Sequence, residues 1–305
     1  MTPIFASTPT PRRRQSCACK MKLGILRALA GTGWGCQKEL LLKTYKTFIE
    51  PSMNYAAAVW APNASDSSFD SLQTVQNSAL RIATGCHKSS TVEHLHTEAK
   101  YPLVKDHLEM LSSQHIASAL RPTHPSHTVV TAPHGPRSMK ETLGHKCENA
   151  VAPYLTNGIV DPSKCRSTLK KIHTDAISAS IKKLSVVNPV LGATPPLISD
   201  SEKRLTRFQR TTLAQLCSGS CRLLNDYKVT LGHIRSALCP ECLFQRHTVR
   251  HIFQCDAAPT TLTPRDLWVN PATVVDFLSS LPSFSSLLPP NPPPPPPPPQ
   301  PPDSP

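Results

Sequence analysis

The sequence lacks the short motifs with which many enzymes bind phosphate groups, activate a serine or hold a catalytic metal. It contains no adjacent pair of aspartates, no GxxxxGK(S/T) loop, no GxSxG elbow and no HExxH helix. No local motif therefore supplies the pair of carboxylates that would bind two magnesium ions for phosphoryl or nucleotidyl transfer. We predict that this chain, taken alone, is not an enzyme.

Long hydrophobic runs are also absent. The first 20 residues contain prolines and three consecutive arginines but no apolar segment of the kind found in a secretory signal. The longest apolar stretches, such as residues 56–61, are far too short to span a bilayer. The 11 cysteines are unevenly spaced and odd in number, which favours free thiols in a reducing compartment. We expect an intracellular protein of the nucleus or cytoplasm, with no membrane segment.

Positive charge and helical periodicity are what the sequence does contain. Its 33 Lys and Arg against 20 Asp and Glu give a net charge of +13 and a pI near 9.4. These cations recur along the chain, and such a surface attracts polyanions such as RNA or DNA, although an ordinary basic, solvated surface explains the charge equally well. From Leu23 onward the apolar residues recur at helical spacing, and period-two alternation is scarce. We predict a mostly α fold.

The clearest helix is predicted after Ser65 or Asp66, which can cap it, and before Gly85, which can end it. Further helices are expected from about Val104 to the stop at Pro122, over about 162–184, and over 201–216. In the helix predicted before Gly85, the inward residues should be Phe69, Leu72, Gln76, Ala79, Leu80 and Ala83. An apolar stripe precedes these helices, and Pro51 should interrupt or end it. Its members are Leu41, Tyr45, Phe48 and Ile49.

Composition and periodicity divide the chain into segments. Of the 33 prolines, 14 follow Leu281, so the end of the chain cannot form a core. The predicted segments are a disordered N-terminus (1–20), a helical region (21–121), linkers around a basic helix (122–198, with the helix at about 162–184), a basic helical region (199–236), a Cys/His knuckle (237–258), a short helix (263–281) and a disordered polyproline tail (282–305).

The knuckle is predicted to bind zinc through Cys239, Cys242, His251 and Cys255. Cys239 and Cys242 form a CxxC turn, and His251 and Cys255 are four residues apart, so on a helix they would project from the same side. Four protein ligands leave no open position for a catalytic water, which predicts a structural site. His247 lies one turn before His251 and is the alternative ligand or a hydrogen-bond donor to the ligands.

Basic residues near the knuckle and on the predicted helices are candidates for nucleic-acid contacts. They are Lys170, Lys171, Arg204, Arg207, Arg210, Arg235, Arg246 and Arg250. A second group of possible ligands, formed by Cys86, His87, His94 and His96, has a spacing that fits no familiar metal site, and we assign no metal there.

Several stretches resemble the C-terminal part of the polyprotein of jockey-like non-LTR retrotransposons, the part that follows the reverse transcriptase palm. The resemblance is spread in order over residues 21–280. The stretches are LGILRALAGTGWGCQKELLL (23–42), TYKTFIEPSMNYAAAVWAP (44–62), LQTVQNSALRIATGCH (72–87), residues 94–107, PTHPSH (122–127), RTTLAQLCSGSCRLLNDY (210–227), the knuckle, and LTPRDLW (262–268).

This resemblance implies a thumb-like and connecting helical region, then a terminal CCHC zinc knuckle that holds nucleic acid during target-primed reverse transcription. In that family of RNA-directed DNA polymerases the catalytic aspartates and the endonuclease lie upstream of the matching part. A nucleic-acid-binding fragment or relic without either active site is therefore expected. The sequence departs from the family at Cys217 and Ser220, where the family has Arg and His, and in its polyproline tail.

The tail supports an alternative function. Residues 292–299 are an unbroken proline run, which forms an extended left-handed helix of the kind that SH3, WW and profilin-type domains bind. The alternative is therefore a protein-interaction module that acts through this tail.

Overall fold

The computed structural model describes residues 11–31, 35–131, 151–155, 160–184, 187–188, 190–192 and 200–287. The predicted mostly α fold is confirmed: within these ranges there is no β-strand, and one isolated bridge joins Leu238 to Arg246. The α-helices of the described residues are α1 (Pro11–Leu29), α2 (Lys38–Thr44), α3 (Glu50–Asn54), α4 (Ala57–Trp60), α5 (Asp66–Thr84), α6 (Val92–Ala99), α7 (Val104–Ala119), α8 (His127–Thr131), α9 (Cys165–Leu184), α10 (Asp200–Arg204), α11 (Arg207–Cys217), α12 (Asn225–Thr230), α13 (Val249–Ile252), α14 (Asp266–Val269) and α15 (Pro271–Ser280).

Helix α5 is the centre of the N-terminal core and agrees with its prediction. Ser65 is the extended N-cap residue, and Gly85 ends the helix with φ of 79°, a left-handed conformation that glycine adopts without strain. All six residues predicted to face inward are buried. Helix α1 packs against α5 and begins at Pro11, so the boundary predicted at residue 20 between a disordered terminus and the helical region is wrong.

The predicted apolar stripe before Pro51 is correct in part. Leu41, Tyr45 and Ile49 are buried, but Phe48 is 53% exposed. The backbone widens into a π-helix over Tyr45–Ile49, and α3 continues directly after it. Pro51 lies in the first turn of α3, directly after the widened turn, and the chain remains helical through it.

A second core lies between α7 and α9, the pair of helices in closest contact. Met110, Ile116 and Ile172 are buried there. The segment between these helices was predicted to be linker, yet Val151 and Val160 are buried in the same core and α8 is a short helix. Those parts of the linker prediction are wrong, because two isolated apolar residues give no periodic signal.

A third core joins the segments predicted as separate units in the C-terminal part of the chain. It is built from α11, α12, α13, α14, α15 and the 3₁₀ turn Pro282–Leu287. Phe284 and Leu287 are buried in it, so the predicted disordered tail does not begin at residue 282. Residues 288–305, which include the proline run, lie outside the described residues.

The predicted helix over 201–216 is two helices, α10 and α11, separated at Leu205 and Thr206. Thr206 starts α11 with a capping box: its hydroxyl accepts from the N–H of Gln209 (3.3 Å), and the Gln209 side chain accepts from the N–H of Thr206 (2.9 Å). Helix α11 joins two cores, because Ala214 packs into the N-terminal one and Leu213 into the C-terminal one.

Among the helices in the described ranges, none is both long and apolar enough for a bilayer crossing.

Candidate metal centre and basic surface

Two cysteines of the C-terminal region lie on a tight turn that the backbone holds in place. The N–H of Cys239 donates to the carbonyl of Gln245 (2.7 Å), and the N–H of Leu243 donates to the carbonyl of Cys239 (2.9 Å). Leu243 adopts φ of 63°, a left-handed conformation that is uncommon for a residue with a branched side chain. The turn brings the side chains of Cys239 and Cys242 to the same side.

The two remaining members come from α13 and from the residues after it. Thr248 caps α13, since its hydroxyl accepts a hydrogen bond from the N–H of His251 (3.3 Å). The helix ends at Ile252, so His251 and Cys255 do not share one continuous helical face as predicted. A turn closed by the N–H of Gln254 to the carbonyl of His251 (2.9 Å) directs the chain so that Cys255 returns to the cluster.

Cys239, Cys242, His251 and Cys255, called here the Cys/His cluster, have ligand atoms that all lie within 4.8 Å of one another. The Sγ atoms of Cys239 and Cys255 are 4.0 Å apart, and Cys242 Sγ lies 3.2 Å from His251 Nε2. Disulfide sulfurs are only about 2.05 Å apart, and all three thiols are free. Three thiols and one imidazole that converge in this way can hold a metal ion.

The surroundings favour thiolate formation at Cys242 more than at Cys255. Hydrogen bonds from the backbone N–H groups of Gln245 and Phe244 lower the pKa of the Cys242 thiol to about 6. Burial raises the pKa of the Cys255 thiol to about 11. The thiolate is the metal-binding form, so Cys242 is prepared for a cation by the protein itself, and Cys255 requires the cation to lose its proton.

His247, the alternative ligand, lies outside the cluster. Its Nδ1 accepts a hydrogen bond from the N–H of Asn225 (3.1 Å), and its ring packs edge-on against Phe284 with centroids 6.0 Å apart. Burial lowers its pKa to about 4, so the ring is neutral at pH 7. His247 therefore fastens the start of α12 and the 3₁₀ turn to the cluster segment, and His251 is the histidine of the site.

The other group of cysteine and histidine residues forms no metal site within the described ranges. His94 Nε2 lies 3.2 Å from the carbonyl oxygen of Ala214, and His96 Nδ1 lies 2.8 Å from that of Tyr101. Both rings are buried and connect helices through hydrogen bonds. Burial raises the pKa of the Cys86 thiol to about 12, so this cysteine is an apolar core residue.

Six of the eight basic residues predicted to contact nucleic acid are exposed. Arg246 pairs with Asp226 through its guanidinium, and Lys171 Nζ lies 5.8 Å from the ring centroid of Tyr154. Exposure leaves these side chains accessible to a phosphate backbone. The exposed residues are Lys170, Lys171, Arg204, Arg235, Arg246 and Arg250.

The prediction is corrected for Arg207 and Arg210, which are buried and whose terminal guanidinium nitrogens bind groups inside the protein. The Arg207 guanidinium donates to the carbonyls of Ile82 (2.7 Å) and Ala83, which are left without helical partners at the end of α5. Arg210 donates two hydrogen bonds to the carboxylate of Glu39, at 2.6 and 2.8 Å. The spacing of the arginines on α11 is typical of a solvent-exposed helix face. Only the positions of α2 and α5 show that this face is an interface between helices.

The contribution of the Arg210–Glu39 pair to stability is expected to disappear in acid. Hydrogen bonding to Arg210, against the opposing effect of burial, lowers the pKa of Glu39 from 4.5 to about 2. Because the folded-state pKa is the lower one, this stability is complete above pH 4.5 and is lost as the pH falls through about 2. Urea unfolding of the wild type and of Glu39→Gln should differ most at pH 6 and less at pH 3. A difference that does not change with pH would contradict the pairing.

The contacts of Lys38 form a second feature that the sequence does not reveal. Its ammonium donates to Glu98 at 2.6 Å and to Glu202 at 3.1 Å, and Arg210 also reaches Glu202 at 3.2 Å. Lys38 and Glu202 are 164 residues apart in sequence. No local sequence pattern predicts ion pairs between residues so far apart. We call Lys38, Glu98, Glu202 and Arg210 the buried ionic network.

Comparisons with protein-family models, with curated proteins and with solved structures found no match for this chain. Its possible function therefore has to be inferred from the Cys/His cluster and from the distribution of charge.

Proposed function

We propose that this protein binds nucleic acid and that its Cys/His cluster holds one structural zinc ion. Tetrahedral zinc, with bonds of about 2.3 Å to sulfur and 2.0 Å to nitrogen, separates its ligand atoms by roughly 3.5 to 3.8 Å. The two measured separations in the cluster, 4.0 Å and 3.2 Å, lie close to these values. Three thiols and one histidine are a donor set that zinc prefers over magnesium or calcium.

The ion would stabilise structure rather than perform chemistry. Side chains of this chain would take all four positions of a tetrahedral ion, which would leave no position for a water or a substrate. The segment that contains the cluster also contributes Val249, Ile252 and Phe253 to the C-terminal core. Zinc binding would therefore fix the position of that core as well as the turn itself.

The observation that supports nucleic-acid binding is the surface that the cluster presents. Leu243 and Phe244 directly follow Cys242 in the turn. Their side chains are 67% and 87% exposed. An exposed aromatic ring offers a face on which a base can stack, and stacking contributes about 1–3 kcal/mol per base. Arg246 and Arg250 follow within the same segment and supply cations for phosphates.

The origin that we propose is the C-terminal region of a non-LTR retrotransposon reverse transcriptase. Its support is the ordered set of resembling stretches over residues 21–280, which includes the Cys-Cys-His-Cys knuckle. The described part of the chain brings those four residues together after a helical region, as such an origin requires. Binding through the proline run of residues 292–299 remains the alternative prediction.

Binding of the full chain to a single-stranded RNA or DNA oligonucleotide is expected to weaken steeply with salt. Each phosphate neutralised on a single strand contributes about −0.7 to the slope of log K against log salt, so three contacts give a slope of about −2. Fluorescence anisotropy between 50 and 300 mM KCl, roughly the range over which such slopes are measured, provides the measurement.

The Phe244 ring gives a matched control for this experiment. Phe244→Ala removes the stacking face and should weaken binding about tenfold while leaving the salt slope unchanged, and Phe244→Tyr should retain wild-type affinity. Absence of binding, or an affinity that does not respond to salt, would exclude the proposed function. In that case, a pull-down that depends on residues 288–305 would favour the alternative.

A further inference from the structure

A recess lies where the N-terminal core meets the C-terminal core. One cavity of about 720 Å³ is bounded by the side chains of Arg27 on α1, Arg81 on α5, Lys88 in the next loop and Arg222 after α11. A second cavity of about 490 Å³ shares Arg222 and His87 with the first and continues to Lys228 and His233. Because the two cavities share lining residues, they are adjacent, and we call them together the basic groove.

The charge of the basic groove has one sign. Among the residues that line either cavity there is no Asp or Glu. Arg27, Lys88 and Arg222 are exposed and form no ion pair with any acidic residue in the described ranges. The Nε of Arg81 is buried and has no hydrogen-bond partner in the described structure. Cations that are held together without counterions favour a polyanion as the ligand.

The fold holds the walls of the basic groove in fixed positions. Gly85 ends α5 in a left-handed turn, and a Cβ there would lie only 2.4 Å from the Thr211 side chain on α11. The Gln215 side chain donates to the carbonyl of Gly85 (2.9 Å), and a guanidinium nitrogen of Arg81 donates to the carbonyl of Ser90 (3.3 Å). Hydrogen bonds therefore hold the backbone on both sides of Lys88, so this loop needs little ordering when a ligand binds.

An imidazole ring lies between the arginines of the basic groove. His87 packs edge-on with Tyr227, with ring centroids 5.1 Å apart, and its Nδ1 and the Ser89 hydroxyl both lie within hydrogen-bond distance of the Tyr227 hydroxyl. Burial first, and then the charges of Arg222 and Lys88, lower the pKa of His87. This ring is therefore neutral at pH 7 and sits in a positive local potential, and such a ring can stack against a base.

We propose that the basic groove binds the backbone of a single-stranded polynucleotide, RNA or DNA. This inference rests on the proposed function and assigns it a site away from the Cys/His cluster. Proteins that bind single strands combine a positively charged groove along the backbone with rings for base stacking, which is the combination seen here. Base readout in duplex DNA needs an α-helix or a β-ribbon that enters the major groove, whereas these two cavities are recesses.

The test compares two variants that each lose three positive charges. The groove variant is Arg27→Ala, Lys88→Ala, Arg222→Ala. The control variant is Lys164→Ala, Arg166→Ala, Lys182→Ala, which removes exposed cations of α9 and of the turn before it that line neither cavity and are not among the candidate nucleic-acid contacts. Each lost phosphate contact on a single strand lowers the binding constant by a factor of about 4 at 0.15 M salt. The groove variant should therefore bind an oligonucleotide about 50-fold more weakly, with a salt slope less negative by about 2.

The control variant is expected to stay within about threefold of wild-type affinity, since diffuse charge alone has a small effect at this salt concentration. Equal losses in both variants, or a loss in the control variant alone, would overturn the basic groove while leaving nucleic-acid binding by this protein intact. A wild type that does not bind would instead remove the proposed function. Circular dichroism and zinc content should be unchanged in both variants, because all six side chains are on the surface or at its edge.

Competition identifies the occupant of the basic groove. RNA and DNA single strands of one sequence show which sugar is preferred, and the matching duplex and polyglutamate serve as competitors. The single strands should displace a labelled oligonucleotide at concentrations at which the other two do not. Displacement by the duplex at equal strength would overturn the single-strand assignment, and displacement by polyglutamate would indicate an acidic protein segment as the ligand.

Discussion

Replacement of Cys255 by serine is expected to reduce the zinc content of the purified protein from one ion per chain to nearly none. A serine hydroxyl is not deprotonated at neutral pH and is a poor ligand for zinc. Structural zinc contributes roughly 10–16 kcal/mol to the folding of small zinc modules. This is more than the whole free energy of unfolding of most single domains. The turn with Cys239 and Cys242 has no strand or long helix of its own, so it should unfold without the ion.

The effect should extend beyond the turn. Val249, Ile252 and Phe253 leave the C-terminal core when their segment unfolds, which exposes their neighbours in that core, among them Phe277 of α15, whose ring centroid lies 6.1 Å from that of Phe253. We therefore expect the cooperative unfolding transition of this core to be lost or shifted down by more than 10 °C, roughly, as a loss of several kcal/mol implies. Metal analysis, thermal unfolding and a chelator titration of the wild type measure these effects.

Two controls make the result specific. Cys36→Ser changes a free cysteine outside the cluster and should keep both the zinc and the transition. His251→Gln should lose zinc, whereas His247→Gln should keep it, because His247 Nδ1 is occupied by the N–H of Asn225. Zinc retained by both Cys255→Ser and His251→Gln would show that the ion, if any, is bound elsewhere.

The features predicted correctly from the sequence have signals confined to a few turns of chain. The helix from Asp66 to Thr84 has an apolar stripe, an N-cap candidate and a terminating glycine, and the structure contains all three. The four residues of the Cys/His cluster were also identified from spacing, and they converge. The assumed reason was only half correct, because α13 ends before Cys255 and a turn returns that residue to the cluster.

The features missed depend on contacts between distant parts of the chain. Arg207 and Arg210 have the composition of a solvated helix face, but their partners on α5 and α2 are more than 120 residues away. The basic groove is likewise formed by Arg27, Lys88 and Arg222, which have no common periodicity. Electrostatic interactions act between residues that are far apart in sequence. Whether a charged side chain is buried or exposed therefore follows only from how the helices pack.

Substitution of Lys38 by methionine is expected to cost about 3–5 kcal/mol of unfolding free energy, because it removes one side of the buried ionic network. The Lys38 side chain is only 3% exposed, and its ammonium lies between the carboxylates of Glu98 and Glu202. Methionine has similar length and fills the space but cannot donate a hydrogen bond. Glu98 would then remain largely buried without the cation that donates a hydrogen bond to it, which is the main source of the cost.

An exposed ion pair in the same protein is the matched control. Lys105 pairs with Asp66 at 3.0 Å, and the two side chains are 50% and 84% exposed, so Lys105→Met should cost no more than about 1 kcal/mol. Urea unfolding at pH 7 measures both variants. The double variant Lys38→Met, Glu98→Gln should recover much of the loss, since it removes the unpaired charge as well. Equal costs for Lys38→Met and Lys105→Met would mean that the network is screened by water, and the packing of α2 against α6 and α10 would then have to rest on apolar contacts alone.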